Sequence, residues 1–109
     1  MAYNDDLAKK VSEILDEYAE SDQRKMFGGI AFMVGGHMCC GVIKDDLVLR
    51  LGPEAAEKAL RDPHVRPMDL TGRPMKGYVF VAKDGVRTEA KLRSAIRSAL
   101  DFVETLPPR

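Results

Sequence analysis

One segment constrains the fold of this chain more than any other: FGGIAFMVGGHMCCGV, residues 27–42. In it, two apolar runs flank the pair Gly35-Gly36. Both central residues of a type I′ turn have positive φ, a conformation that glycine adopts without steric cost. We therefore predict a β-hairpin, with a first strand that ends at Val34 and a second strand over residues 37–43.

A regular hairpin around this turn determines which residues face each other. Because successive side chains alternate between the two faces of a strand, Cys39 and Cys40 are expected on opposite faces. Both faces of the hairpin are largely apolar, so we expect helices to cover one side and loops or a partner to cover the other. The predicted pairs are Val34 with His37, Phe32 with Cys39, Ile30 with Gly41, Met33 with Met38 and Ala31 with Cys40.

The rest of the chain predicts helices at both ends and one in the middle. Hydrophobic residues recur at helical spacing over residues 5–21 and 88–105, and Pro53 and Glu54 favour the first turn of a short helix over residues 52–60. Strand patterns cover residues 24–34, 37–43, 47–51 and 77–82, and the Pro-rich connection 61–76 is either irregular throughout or includes a fifth strand around residues 65–70. This order indicates an α+β fold, a meandering antiparallel sheet of four to five strands with three helices. We expect residues 1–109 to form a single domain.

The charge balance does not favour a nucleic-acid binder. The chain has 17 Lys and Arg against 17 Asp and Glu, whereas binding to phosphates usually needs an excess of basic residues. A local cluster of Arg66, Arg73 and Lys76 is a candidate contact for an anion or a partner. A solvated loop with surface ion pairs is the alternative for these three residues. Arg93 and Arg97 share one face of the last helix and add basic charge there.

The cysteines and methionines suggest different roles. A catalytic thiol needs a lowered pKa and a nearby base, and His37 shares a face of the predicted strand with Cys39. The alternative is that Cys39 and Cys40, our candidate reactive thiols, are small buried hydrophobes. Adjacent cysteines are poor joint metal ligands, and no phosphate-loop motif is present, so we predict no catalytic, cofactor or metal site. Five methionines are predicted either to line an adaptable interface or to belong to the core: Met26, Met33, Met38, Met68 and Met75.

No membrane segment is expected from the sequence. The first ten residues, MAYNDDLAKK, have no apolar signal region, and no stretch approaches the length of a transmembrane helix. We therefore expect a cytoplasmic protein with no membrane partner and with free thiols rather than a disulfide.

Two stretches carry a resemblance to a known family. KMFGGIAFMVGGHMCCGV and TGRPMKGYVFV, followed by a closing helix and a terminal LPP, resemble the N-terminal domain of the TfoX/Sxy family. The resemblance runs from about residue 5 to residue 108, and it implies a compact α+β domain with no accepted catalytic motif. The family takes its name from bacterial regulators of natural competence, in which a second domain follows, and we expect a stand-alone first domain here.

These observations lead us to expect a non-enzymatic regulatory or protein-interaction module that binds a protein partner or itself. One alternative is a nucleic-acid-associated transcriptional regulator that uses Arg66, Arg73 and Lys76. Another is a small thiol-dependent enzyme that uses Cys39 with His37.

Overall fold

The computed structural model describes residues 3–26, 28–69 and 74–107. These residues form three α-helices, a short 3₁₀ helix at Lys83–Val86 and six strands. The helices are α1 (Asp5–Asp16), α2 (Pro53–Ala59) and α3 (Glu89–Val103). The strands are β1 (Asp22–Met26), β2 (Gly29–Val34), β3 (His37–Ile43), β4 (Asp46–Arg50), β5 (Val65–Asp69) and β6 (Pro74–Val81).

All six strands join in one antiparallel sheet in the order β1-β2-β3-β4-β6-β5. The predicted α+β fold with N-terminal, middle and C-terminal helices is confirmed, although the sheet has six strands rather than four to five. One extra strand arises because the predicted strand 24–34 is divided: Met26 pairs with Gly29, and Gly28 between them has a φ of 75°. The fifth strand of the prediction, expected around residues 65–70, is present as β5.

The predicted first helix is five residues too long. Asn4 caps α1 by accepting a hydrogen bond from the backbone N–H of Leu7, and the helix ends at Asp16 with Glu17 as its C-cap. Residues 17–21 then lead the chain into β1. The apolar spacing that continues through Tyr18 therefore marks a contact of this residue with α3, described below, rather than a further turn of helix.

All three helices pack on one face of the sheet, which we call the helix face. The buried cluster there includes Val11 and Leu15 of α1, Ala56 of α2 and Ile96 of α3. Burying one large aliphatic side chain contributes about 1.5–3 kcal/mol, so this cluster is the main source of stability. The strands contribute Ile30, Phe32, Cys39, Cys40, Val42, Leu47, Leu49, Val79 and Val81, and Leu51 joins the cluster just after β4.

The opposite face of the sheet carries a second, smaller cluster, which we call the methionine face. Among the described residues, no helix contributes a side chain to it. Its buried members are Ala31, Met38, Val48, Met68 and Phe80. Its partly exposed members are Met26, Met33, Ile43, Met75 and Tyr78.

A β-bulge in β3 changes the register of the predicted hairpin. The pairs Val34 with His37 and Met33 with Met38 are confirmed, but the register then shifts between Phe32 and Met33. The other three predicted pairs are wrong. They are replaced by Phe32 with Cys40, Ala31 with Gly41 and Ile30 with Val42.

The bulge also corrects the prediction that Cys39 and Cys40 lie on opposite faces. Cys39 is the extra residue that has no partner on β2, and both cysteines belong to the helix-face cluster. A bulge interrupts the alternation of side chains along a strand, so two neighbouring residues can point the same way.

Candidate functional site

The two thiols lie at the centre of the helix face. Cys39 and Cys40 are each 0% exposed. A hydrogen bond with the Cys39 thiol, together with burial, raises the pKa of Cys40 well above its usual range. A reactive cysteine is usually partly exposed and has a lowered pKa, so this environment opposes thiolate formation.

His37 has a structural partner in the described structure. Its Nε2 donates a hydrogen bond to the backbone carbonyl oxygen of Pro107 at 2.6 Å. This bond joins the turn end of β3 to the segment that follows α3. The ring is half-buried, while the thiol of Cys39 lies inside the helix-face core.

The predicted basic cluster is only partly visible. Arg66 forms an ion pair with Asp46, at 2.6 Å, and its guanidinium lies 4.6 Å from the centroid of the Phe80 ring. Arg73 lies outside the described residues. Lys76 is exposed on β6. Arg66 pairs with Phe80, which follows Lys76 by four residues on the same strand. Lys76 therefore lies about 13 Å along β6 from the position of Arg66. The structure therefore does not bring Arg66 and Lys76 together.

A different arginine cluster joins α1 to α3. Arg93 donates two hydrogen bonds to the Glu17 carboxylate, at 3.0 and 3.1 Å, and a third to the hydroxyl of Tyr18 at 2.9 Å. The guanidinium of Arg97 lies 4.5 Å from the centroid of the Tyr18 ring. The bond from Arg93 is the main reason that the pKa values of Glu17 and Tyr18 fall below their ordinary ranges. These basic groups are thus held by neighbours on the protein's own surface.

Two surface grooves lie on the helix side of the protein. The larger, about 750 Å³, runs between α1 and the start of α3 and is lined by charges of both signs, including Lys9, Glu13, Lys83 and Glu89. Because these charges offset one another, the groove has no single-sign field to select a charged ligand. The smaller, about 460 Å³, lies between α2 and α3, and small side chains of α3 form one wall.

The described core has no polar feature that would mark a small-molecule site. It contains no buried polar or charged residue, and no described buried side-chain nitrogen or oxygen atom lacks a hydrogen-bond partner. No group of three or more His, Cys, Asp or Glu side chains among the described residues could hold a metal ion. Ligand sites usually combine an apolar pocket with a few convergent polar groups, and the two grooves lack the buried members of such a set.

The methionine face is the remaining candidate site. Its base is firmly packed, since Ala31, Val48 and Met68 are at most 1% exposed. The partly exposed side chains of Met26, Met33 and others surround this base. Methionine is unbranched and polarisable, and surfaces rich in it adapt to differently shaped partners.

A comparison with models of protein families identifies a family for this chain. The family model described as the TfoX N-terminal domain matches residues 13–103. The chain belongs to this family. The match begins within α1 and ends at Val103, the last residue of α3, so it includes all six strands of the sheet.

Neither the search of curated proteins nor that of solved structures gave a match. In the described part of the chain, no helix is long and apolar enough to cross a membrane.

Proposed function

We propose that this TfoX N-terminal domain is a non-enzymatic regulatory module that acts by binding another protein through the methionine face. The observation that carries the proposal is an apolar cluster on the sheet face that no described helix covers. Antiparallel sheets commonly leave one face to solvent, but that face is then usually polar. Apolar side chains that stay partly exposed on such a face, such as Met26 and Met33, are more typical of a surface that a partner covers.

The composition of this face supports protein binding over other uses. A closely packed base gives it a constant shape, and the flexible thioether side chains around that base can repack against a partner. Arg50 adds a polar group at the margin, where its guanidinium lies 5.5 Å from the centroid of the Tyr78 ring. Arginine and tyrosine are both enriched in protein interfaces.

The two alternatives draw less support from the same residues. A nucleic-acid-associated regulator would need Arg66 free to contact phosphate, and Asp46 neutralises it. A thiol-dependent enzyme would need an accessible thiolate, and Cys39 and Cys40 are both buried. Both alternatives stay predictions.

The proposal can be tested with two matched apolar-to-lysine variants. Met33→Lys places a charge on the methionine face, whereas Leu60→Lys places one at the end of α2, where Leu60 is 39% exposed. Immobilised wild-type protein and each variant would be used to capture proteins from the lysate of the source cells. We expect the wild type and Leu60→Lys to retain the same partner and Met33→Lys to lose it.

A direct measurement would then use the captured partner in purified form. With ¹³C-methyl-labelled methionine, the partner should shift the methyl resonances of Met26, Met33 and Met75 and leave those of other methionines nearly unchanged. Retention of the partner by Met33→Lys, or methyl shifts elsewhere alone, would contradict the proposal. Thermal unfolding of both variants serves as the control for folding.

A further inference from the structure

We propose that the outer edge of β1 pairs with the same edge of a second copy of this chain, antiparallel and with Gln23 on the twofold axis. This inference goes beyond the proposed function, because it does not require the methionine face to bind anything.

The two edges of the sheet differ in their ability to accept another strand. The β5 edge contains Pro67, which has no N–H to donate, and its register shifts between Pro67 and Asp69. Proline and bulges are devices that block the edge of a sheet. The β1 edge is regular over its five residues and contains neither, and no described strand pairs with its outer side. The β1 edge is therefore the one that can be extended.

The faces of β1 follow from its pairing with β2. Gln23 pairs with Phe32 of the helix-face cluster and donates a hydrogen bond to Oγ of Ser12 in α1, so it points to the helix side. Asp22 and Arg24 flank it and therefore point to the methionine side. Residues directly opposite each other in an antiparallel pair share one face. In a symmetric pair of β1 strands, one residue must consequently face its own copy.

Because one residue of β1 must face its own copy, only a few registers are possible. They differ in the charged side chains that they bring opposite each other. With Gln23 on the axis, Asp22 faces Arg24 of the second copy, and the same pair forms again by symmetry. With Asp22, Arg24 or Lys25 on the axis, that residue would face its own like charge. Opposite charges stabilise a cross-strand pair and like charges destabilise it. The Gln23 register is thus favoured on charge alone.

The resulting dimer would have a continuous sheet of twice six strands, with the two methionine faces side by side. The shared ladder is short, because β1 has five residues. A two-stranded ladder of this length is weak in water, so we expect a dimer that depends on protein concentration.

The test measures molar mass by sedimentation from about 10 µM to about 1 mM, the range in which weak complexes dissociate. The monomer has a mass of 12.1 kDa, so the dimer should approach twice that value at high concentration. Asp22→Arg and Arg24→Asp should each raise the dimer dissociation constant by about tenfold or more, because each turns two attractive pairs into repulsive ones. The double variant Asp22→Arg/Arg24→Asp should restore dimerisation, since it exchanges the two charges.

Lys25→Glu is the matched control, because residue 25 faces Ser21 of the second copy in this register. It should leave the dissociation constant unchanged. A monomer throughout the concentration range overturns the proposal, and so does a dimer that the single variants leave intact or that the double variant does not restore. All four variants change exposed residues, and circular dichroism verifies that they are folded.

Disulfide trapping provides a second readout. Facing residues have Cα atoms about 4.5–5.5 Å apart, which lies within the range that a disulfide bridges. Gln23→Cys should therefore crosslink with its own copy under mild oxidation by a small disulfide. Lys25→Cys should not, because the two copies of residue 25 lie about 13 Å apart along the strands. If Met33→Lys retains the partner while Gln23→Cys forms the crosslink, only the proposed function is contradicted. If Met33→Lys loses the partner while Gln23→Cys forms no crosslink, only the dimer is contradicted.

Discussion

Replacement of Gly52 by alanine should destabilise the fold strongly, for two separable reasons. Gly52 has a φ of 84° and a ψ of 160°, a region that is open almost only to glycine. A Cβ atom at this position would also lie 2.5 Å from Cε1 of Phe102, a residue of α3. The residue thus combines an unusual backbone conformation with close packing between α2 and α3.

The expected magnitude is the sum of these two effects. The backbone conformation costs about 1–3 kcal/mol for a residue with a Cβ, and displacing the Phe102 ring costs about 1–3 kcal/mol. Alanine also restricts the unfolded chain, which offsets about 0.4–1 kcal/mol. We therefore expect Gly52→Ala to lower the free energy of unfolding by about 3 kcal/mol, and the melting temperature by about 12–24 °C.

The assay is urea unfolding followed by circular dichroism, with two further variants. Gly35→Ala is the matched control, because Gly35 has a φ of 59° and its Cβ would meet nothing within 4 Å, so it should show a backbone cost alone. In a Phe102→Ala background, Gly52→Ala should lose the steric part of its cost, about 1–3 kcal/mol. An equal cost of Gly52→Ala in both backgrounds would refute the steric argument, and a cost below about 0.5 kcal/mol would refute both.

Two further predictions concern titratable groups. The buried thiols of Cys39 and Cys40 react only when the fold opens, so iodoacetamide should alkylate the folded protein at least about 10³-fold more slowly than a free thiol; an equal rate at neutral pH would instead support the thiol-enzyme alternative. Arg93 lowers the pKa of Tyr18 below its ordinary value of 10.0, so tyrosinate absorbance should appear at a higher pH in Arg93→Gln. Because the folded pKa is the lower one, the stability difference between wild type and Tyr18→Phe should hold a constant value around neutral pH, set by the lost hydrogen bond from Arg93, and grow as the pH rises towards 10; an unchanged titration in Arg93→Gln would disprove the link.

Local chemistry made the centre of the hairpin predictable from the sequence. The pair Gly35-Gly36 defines the turn, and the two pairs next to it, with Met33 and Val34, are in the predicted register. The error begins at Cys39, because no residue type there requires a bulge. Whether a strand bulges depends on how its neighbours pack, which local alternation does not record.

The candidate sites were harder to predict than the fold, since their partners are distant in sequence. For Arg66 the sequence left two alternatives, an anion contact or a surface ion pair, and it could not indicate that the ion pair is with Asp46, twenty residues earlier. Arg93 and Glu17 are separated by 76 residues, and no local pattern links them. The methionine face was partly foreseeable, because the hairpin is apolar on both sides. That Met68 also belongs to this face could not be predicted, because it depends on the pairing of β5 with β6.

The bulge also changes the phase of β3. Before it, Met38 points to the methionine face, and after it Cys40 and Val42, at the same even-numbered positions, point to the helix face. The one strand β3 therefore contributes side chains to the helix-face cluster and to the methionine face. In a regular strand of the same length, Val42 would turn to the methionine face, whereas deleting one cysteine would leave a regular strand in which Val42 and Ile43 keep their present faces. The bulge thus lets the helix face hold two neighbouring thiols while the rest of β3 keeps its alternation.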